Sequence, residues 1–521
     1  MFPVWATLVA GLAAALLLLY RFFTATAGYF ESRGIAYLRP TPFFGNIKDL
    51  LLMRVSGAEM TLRFYNQLKK HRVGGVFHSR RPCLLVCDPE IVRLFLAKDF
   101  ASFHDRGMAP VDLKANPLSG HLFNLEGRQW RVLRKKLTPA FTPGRMKGMM
   151  QLLLECSGEL SEAMATAAES GSCLEIKEVF AQFTTDVIGT CAFGLQFNSL
   201  RQEDAEFRRM GRKVFQASAG AVVRRVVMAG LPGLARRLNL KFAADDVSQF
   251  FLKVVQDTIS HREKHGIVRK DFLQLLIELK NKGRLESDEG EVPSSKNGNI
   301  TDIDDFIELS DAALAAQAFV FFLAGFETSS TTMSFCVYEL ALNPGVQRRL
   351  LDEIDSVLQR HGGVMSYEAV QEMEYLDRVI QETLRKYPPA ANLHRKCTEP
   401  YTIPGTGVRL EKGLKVLIPV YGIHHDPEYY PRPDEFDPDR FTEANKARRP
   451  GYTYLPYGEG PRICIGMRFG NLQMKAGLAT ILRHHSFASC ERTIMPMVLE
   501  PRSFVTAAKG GIWLRIAPRS H

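Results

Sequence analysis

The pattern of apolar and polar positions predicts a chain built mostly of helices. Apolar residues recur at helical spacing over long stretches, for example 146–168 and 247–264. Shorter runs with the character of strands, such as 75–86 and 415–420, are fewer. A further long helix is predicted from Ser310, which can cap its start, to Leu342, where an Asn-Pro pair stops it. We therefore predict a mostly α fold with a smaller β region.

The N-terminus predicts a membrane anchor. Residues 1–20 carry no charge and are largely apolar, and a helix of that length spans about 30 Å, the thickness of the hydrocarbon layer of a bilayer. A cleaved signal peptide is the alternative, with Ala25-Thr26-Ala27 as a cleavage site. Such peptides begin with basic residues, whereas the first basic residue here, Arg21, follows the apolar run.

Basic residues after this run predict its orientation. Arg21, Arg33 and Arg39 place the body of the protein in the cytosol by the positive-inside rule. We expect an anchor at 1–21, a hinge at 22–46 and one large domain at 47–521, since no long linker divides the rest.

Composition and charge limit the classes of protein. The chain has 521 residues, 46% of them hydrophobic and 24% charged, which excludes disordered, collagen-like and disulfide-scaffold classes. The nine cysteines are odd in number and scattered, so we expect reduced thiols. The net charge is +11. Basic residues at 208–237 surround an apolar Leu-Pro-Gly-Leu segment, which favours contact with a membrane surface over nucleic acid.

The strongest chemical signal is the segment 457–466, Tyr-Gly-Glu-Gly-Pro-Arg-Ile-Cys-Ile-Gly. Glycines and a proline predict a tight loop that ends at the N-terminus of a helix, where Cys464 gains thiolate character. Such a thiolate can attack an electrophile, bind a metal, or be a plain buried thiol. The pattern resembles the haem-binding loop of the cytochrome P450 family, with Tyr457 in place of the usual phenylalanine. The resemblance implies haem b, with Cys464 as the axial ligand of the iron.

Further motifs follow in the order of that family. Within the predicted helix 310–342, Gly325 suggests a close approach to the backbone and is expected beside the cofactor. The resemblance gives Glu327 and Thr328 the role of an acid–alcohol pair that delivers protons.

Two helical residues three apart, Glu382 and Arg385, would ordinarily be a solvated pair of little energetic value. The family has Glu-x-x-Arg at this place, buried and completed by an arginine that corresponds to Arg440. The resemblance therefore implies that these three residues lock the fold beneath the haem.

The remaining cofactor residues come from the resemblance as well. Trp130 and Arg134, one helical turn apart, are similar to a pair that contacts a haem propionate, and Arg462, Arg395 and Arg106 are expected to bind the propionates. Two buried carboxylates need guanidinium partners to stay ionised.

The resemblance covers about residues 45–518, and segments near 321–330 and 423–431 are most similar to the insect detoxification branch, its family six. It implies a monooxygenase of the endoplasmic reticulum membrane that inserts one oxygen atom from O2 into lipophilic small molecules. No dinucleotide-binding motif is found, so electrons are expected from an NADPH-dependent P450 reductase, with cytochrome b5 as a candidate second donor. The alternatives are a haem-thiolate isomerase or dehydratase acting on peroxides, and a non-catalytic haem carrier or sensor.

Overall fold

The computed structural model describes residues 4–519 except for 109–110, 112, 114–115, 202–205, 216–219, most of 221–243, 270 and 283–308. The described α-helices, numbered in chain order, are α1 Val4–Thr24, α2 Lys48–Leu51, α3 Gly57–Leu68, α4 Pro89–Arg93, α5 Gly127–Leu137, α6 Pro143–Ser170, α7 Ile176–Ile188, α8 Glu206–Phe215, α9 Asp245–His265, α10 Phe272–Lys282, α11 Asp311–Leu342, α12 Pro344–Arg360, α13 Tyr367–Glu372, α14 Glu374–Lys386, α15 Val420–His424, α16 Glu443–Arg448 and α17 Met467–His484.

The β structure is small and divided. The strands are β1 Val73–His78, β2 Arg81–Val86, β3 Cys173–Glu175, β4 Leu393–Lys396, β5 Tyr401–Thr402, β6 Arg409–Leu410, β7 Lys415–Ile418, β8 His485–Ser489 and β9 Trp513–Pro518. A four-stranded sheet has the order β1-β2-β7-β4, in which β2 and β7 run parallel, and a three-stranded sheet has the order β3-β9-β8. Together with the helices, these small sheets confirm the predicted fold class.

Helix α11 crosses the centre of the fold. It begins where the sequence predicts, because the Ser310 side chain accepts a hydrogen bond from the N–H of Ala313. Most of its residues are buried, and it packs against α7, α9 and α14. The Thr184 hydroxyl of α7 donates to the carbonyl of Phe326 at 2.8 Å, so the two helices are joined at the middle of α11. This position makes α11 one wall of the site described below.

The N-terminal helix differs from the other long apolar helix in its surroundings. Within the described residues, α1 and α11 are long and apolar enough to span a membrane, but the apolar window of α11 is 56% buried whereas that of α1 is not buried at all. Helix α1 runs to Thr24, slightly beyond the expected anchor. The expected hinge is packed rather than free, since Phe30 is fully buried against Gly75 of β1, where a side chain would collide with its ring.

One expectation about the cysteines is wrong. Cys173 on β3 and Cys490 just after β8 form a disulfide, with 6.4 Å between their Cα atoms, whereas the sequence led us to expect only reduced thiols. The two residues are 317 positions apart and meet because β3 and β8 both pair with β9. The other seven cysteines are free thiols, six of them buried. Most of the basic segment at 208–237 lies outside the described residues.

Candidate functional site

The loop that carries Cys464 is held in a single tight conformation. Its backbone closes on itself, with the N–H of Cys464 donating to the carbonyl of Tyr457 at 2.9 Å. Gly460 has φ of 73°, and a Cβ there would collide with the carbonyl of Leu96. A glycine is therefore required for the loop to lie against residues 94–98. The loop delivers Cys464 to the start of α17, as the sequence predicts.

The thiol of Cys464 faces an interior space. Among the described free cysteines, only Cys464 has a side chain with substantial accessible surface. The surrounding chain nevertheless encloses this side chain, and the resulting desolvation raises the pKa of the thiol. The N–H of Gly466 and the guanidiniums of Arg134 and Arg106 act in the opposite direction and favour the thiolate. Ala324 is also exposed, although α11 is mostly buried around it. Because α17, which follows the loop, packs against α11, we infer that both positions face a cavity between the loop and α11.

Three arginines on the edge of this space have too few acidic partners. We call Arg106, Arg395 and Arg462 the open cluster. Burial, followed by the charges of the neighbouring arginines, lowers the pKa of Arg462 to about 8. The same two causes lower the pKa of Arg395 to about 9, and burial lowers that of Arg106 to about 10. The positive charge of the cluster is therefore only partly compensated within the described chain, by Asp105 and Glu126 near Arg462.

The hydrogen bonds of the open cluster show the same deficit. Buried Nη1 of Arg462 and buried Nε of Arg395 have no hydrogen-bond partner. The nearest acid to Arg462 is Asp105, with its Oδ1 3.8 Å from Nη2, and that oxygen already accepts from the N–H of Gly127 at 2.8 Å. Buried polar atoms are rarely left unpaired, so the geometry is that of a site for an anionic group with several oxygen acceptors.

Trp130 and Arg134 extend the open cluster along α5. The guanidinium carbon of Arg462 lies 4.0 Å from the centroid of the Trp130 ring, which fixes the plane of the guanidinium group. Burial lowers the pKa of Arg134, and the charge of Cys464 partly restores it. The structure therefore brings all five expected propionate-binding residues to the same side of the Cys464 loop.

The two members of the expected acid–alcohol pair, Glu327 and Thr328, have different surroundings on α11. The Thr328 hydroxyl donates to the carbonyl of Ala324 at 2.7 Å, beside the cavity. The Glu327 carboxylate is held on the other side by Lys177 of α7, with 3.0 Å between Nζ and Oε1. Lys177 also donates to the Ser330 hydroxyl at 2.8 Å. Sequence reasoning did not find Lys177, because it lies 150 positions from Glu327 and in no motif.

The close approach expected at Gly325 is with another helix. A side chain at this position would collide with Cδ1 of Ile188, in the last turn of α7. Glycine is thus required for α7 and α11 to pack closely, and it is the adjacent Ala324 that is exposed toward the cavity. The expectation that Gly325 also lies beside the cofactor stays a prediction.

Glu382, Arg385 and Arg440 meet as the resemblance implies, and we call them the paired cluster. Arg385 binds Glu382 through two hydrogen bonds, of 2.7 Å from Nε and 2.9 Å from Nη2, and both side chains are fully buried. Nε of Arg440 lies 3.3 Å from Oε1 of Glu382, which makes an ion pair but not a hydrogen bond. Carbonyls of His424 and Pro433 accept the remaining donors of Arg385, so its charge is fully satisfied within the chain.

The hydroxyl of Tyr457, where the loop motif has phenylalanine, finds its partner on α17. It is hydrogen bonded to Oδ1 of Asn471, four residues into that helix. Burial, and next the charge of Cys464, raises the pKa of Tyr457 well above its ordinary value, so the phenol stays neutral. The departure from the motif is therefore accommodated by a local hydrogen bond.

Comparison with known proteins agrees with this geometry. The family model described as Cytochrome P450 matches residues 36–515. The chain is 41% identical over 495 residues to "Probable cytochrome P450 6a14" of Drosophila melanogaster, covering 94% of this chain and 95% of that protein. It is 42% identical to "Cytochrome P450 6a2" of the same organism, with 94% and 95% covered, and 40% identical to "Cytochrome P450 6k1" of Blattella germanica, with 96% and 95% covered.

A mostly helical fold that presents a cysteine loop and a set of unpaired arginines to one cavity defines a haem-thiolate protein. The chain belongs to the cytochrome P450 family, and it is a monooxygenase that uses haem with an axial cysteine thiolate. The open cluster fits this cofactor, since the two propionates of a haem supply the carboxylate oxygens that the unpaired guanidiniums lack.

Proposed function

We propose that this chain is a membrane-anchored monooxygenase of the endoplasmic reticulum that oxidises lipophilic small molecules with electrons from an NADPH-dependent P450 reductase. The observation that carries the proposal is the exposed thiol of Cys464, which lies beside the incompletely paired open cluster. Its loop leads into α17, which packs against α11, the helix that bears Thr328. A protein that only carried haem would have no use for a hydroxyl and a carboxylate on the helix opposite the cysteine.

The protein residues have separate tasks in this proposal. Bound haem supplies the iron at which oxygen is activated. Cys464 holds the iron as a thiolate, and the open cluster, with Trp130 and Arg134, orients the propionates and neutralises their charge. Arg385, Arg440 and Glu382 pair with one another and keep the segment before the loop in place.

Proton delivery falls to α11. Thr328 offers its hydroxyl beside the cavity, where it now donates to Ala324. Glu327 lies next to it in the chain, and its carboxylate is paired with Lys177, which is 24% exposed. This arrangement supports a route in which Glu327 exchanges protons with water near Lys177 and Thr328 positions them in the cavity.

The anchor and the electron donor have separate support. Helix α1 carries no buried side chain and has Arg21 in its last turn, which fits a single span with the body of the protein in the cytosol. On α5, Arg131 and Lys135 are exposed, while Trp130 and Arg134 of the same helix lie at the site. Cytochrome b5 remains a candidate second donor for this basic surface, which suits an acidic partner.

Charge reversal tests the docking of the reductase. Arg131→Glu with Lys135→Glu should slow reductase-driven turnover and leave peroxide-driven turnover unchanged, because the charge reversal slows only the association of the reductase with this surface. Lys253→Glu with Lys264→Glu, at exposed positions of α9, is the matched control. Equal losses in the two turnover assays, or equal effects of the two pairs, would refute docking on α5.

The reaction class is tested by the consumption of NADPH. We expect consumption that depends on both the reductase and a lipophilic substrate, with one oxygen atom incorporated into product. An isomerase or dehydratase would convert peroxides with no NADPH, and a haem carrier would show neither activity. The substrate is best sought by screening lipophilic compounds for displacement of the water on ferric iron, read from the Soret band.

A further inference from the structure

Basic side chains also gather at the turn between β1 and β2, and they belong to no motif of the loop or of α11. His78 pairs with Arg81 in the register of this hairpin, and Cys83 pairs with Lys415 of β7. Because side chains two apart in a strand share a face, His78, Arg81 and Lys415 project from the same face of the four-stranded sheet. The hairpin turn adds Arg80.

This group of basic residues lies next to the C-terminal end of α1. The guanidinium carbon of Arg80 is 4.0 Å from the centroid of the Phe22 ring, in the last turns of α1, and the carbonyl of Arg80 accepts from the Thr26 hydroxyl. A helix that spans the hydrocarbon layer from Val4 onward ends at the depth of the lipid headgroups near Phe22. Arg80 is therefore held at the headgroup layer by direct contact with the anchor.

The charges of the group are not compensated by the described chain. Buried Nε of Arg80 and buried Nε2 of His78 have no hydrogen-bond partner. Burial lowers the pKa of Lys415 and Arg81, and the neighbouring cations, Arg81 for Lys415 and Arg80 for Arg81, lower both further. Among the acids facing this group, Glu126 acts on Lys415 only weakly and already binds Lys396 at 2.6 Å.

We propose that Arg80, Arg81 and Lys415 form a binding site for the phosphate-bearing headgroup of an anionic phospholipid. The proposal rests on the membrane anchoring of α1 proposed above. A lipid is favoured over a free phosphate because the site adjoins the end of α1, where headgroups are the anions present at high local concentration. An anionic lipid is favoured over a zwitterionic one because the site holds several cations and no free acid in the described residues.

The test uses the full chain, loaded with haem, in nanodiscs of phosphatidylcholine that contain a minor fraction of phosphatidylserine. The ratio of the two lipids that remain bound after mild detergent extraction is read by native mass spectrometry. Arg81→Gln with Lys415→Gln should lower the enrichment of phosphatidylserine by about fivefold for each charge removed. Arg409→Gln with Lys412→Gln, both exposed at β6 and the turn after it, is the matched control and should leave the enrichment unchanged.

Three results would overturn the proposal. Equal losses in the two pairs of variants would show a general attraction of basic surface to the membrane. Displacement of phosphatidylserine by millimolar inorganic phosphate would show a site for any phosphate. Absence of the wild-type chain from nanodiscs would refute the anchor and this site together, whereas a variant that stays in the nanodisc but loses phosphatidylserine supports the site and leaves the anchor intact.

Discussion

The paired cluster and the open cluster are both built on buried arginines, and they differ in where the negative charge comes from. Arg385 is fully buried and meets Glu382 in a bidentate ion pair, with carbonyls for its other donors. Arg395 is 2% exposed, and among the described residues it donates to the carbonyl of its neighbour His394 at 2.8 Å while its Nε has no partner. A buried guanidinium that the chain neutralises is structural, and one that the chain leaves unpaired marks a place for an anionic ligand.

The same substitution in the two clusters should have opposite consequences for the apoprotein. Arg385→Gln leaves the buried Glu382 carboxylate without its main partner and should cost about 3–5 kcal/mol in the free energy of unfolding. We expect no haem-loaded protein from this variant, as measured by haem content per chain. Glu374→Gln, on an exposed position of the same helix, is the control and should load haem normally. Normal haem content in Arg385→Gln would show that the paired cluster does not support the fold.

In the open cluster, Arg395→Gln should leave the apoprotein as stable as the wild type or more so, because it removes a buried charge that has no acid. Release of haem should become about tenfold faster or more, since a charge-assisted hydrogen bond to a carboxylate is lost. Urea unfolding of the apoprotein and transfer of haem to an acceptor protein measure the two effects. A destabilised apoprotein with normal haem release would place Arg395 among the structural arginines.

A similar comparison, between a side chain at the site and a matched buried one, can be made for the hydroxyls of Thr328 and Ser334 on α11. Thr328 and Ser334 make the same bond to the carbonyl four residues earlier, of 2.7 Å and 2.6 Å, but Ser334 is fully buried whereas Thr328 lies beside the cavity. Thr328→Ala should retain haem and substrate binding and lower the product formed per NADPH, with the difference recovered as hydrogen peroxide. Ser334→Ala should keep the wild-type ratio. An unchanged ratio in Thr328→Ala would mean that protons reach the site by another route.

The smallest effect is expected at Tyr457. Tyr457→Phe loses one hydrogen bond to Asn471 and should cost about 1 kcal/mol in the free energy of unfolding, with haem still bound. In the background of Asn471→Ala the same substitution should cost almost nothing, which a double-mutant cycle measures. A full cost in both backgrounds would mean that the hydroxyl acts through a different neighbour.

Features that depend on local spacing could be predicted from the sequence. The Cys464 loop, the cap of α11 at Ser310 and the shared helix face of Glu382 and Arg385 are each defined within ten residues, and the structure has all of them. Arg440 could be assigned as their partner only through the resemblance to the family, because no local pattern links it to α14.

Features that depend on contact between distant segments could not be predicted. The Cys173–Cys490 disulfide and the Lys177–Glu327 pair join residues that are 317 and 150 positions apart in the chain. The spacing of apolar residues along the chain gives no information about such contacts. Gly325 illustrates a partial success: the sequence indicated that something approaches the backbone closely, and the structure identifies it as Ile188 of α7.

The most direct test of the account is the absorption spectrum of the reduced carbon monoxide complex in wild type and Cys464→Ala. Thiolate ligation shifts the Soret band of this complex to the red, so the wild type should show the shifted band and the variant should lose it. Cys397→Ala, at a buried free thiol away from the loop, should keep the shifted band as a control. A red-shifted band that persists in Cys464→Ala would contradict the assignment of Cys464 as the ligand of the iron.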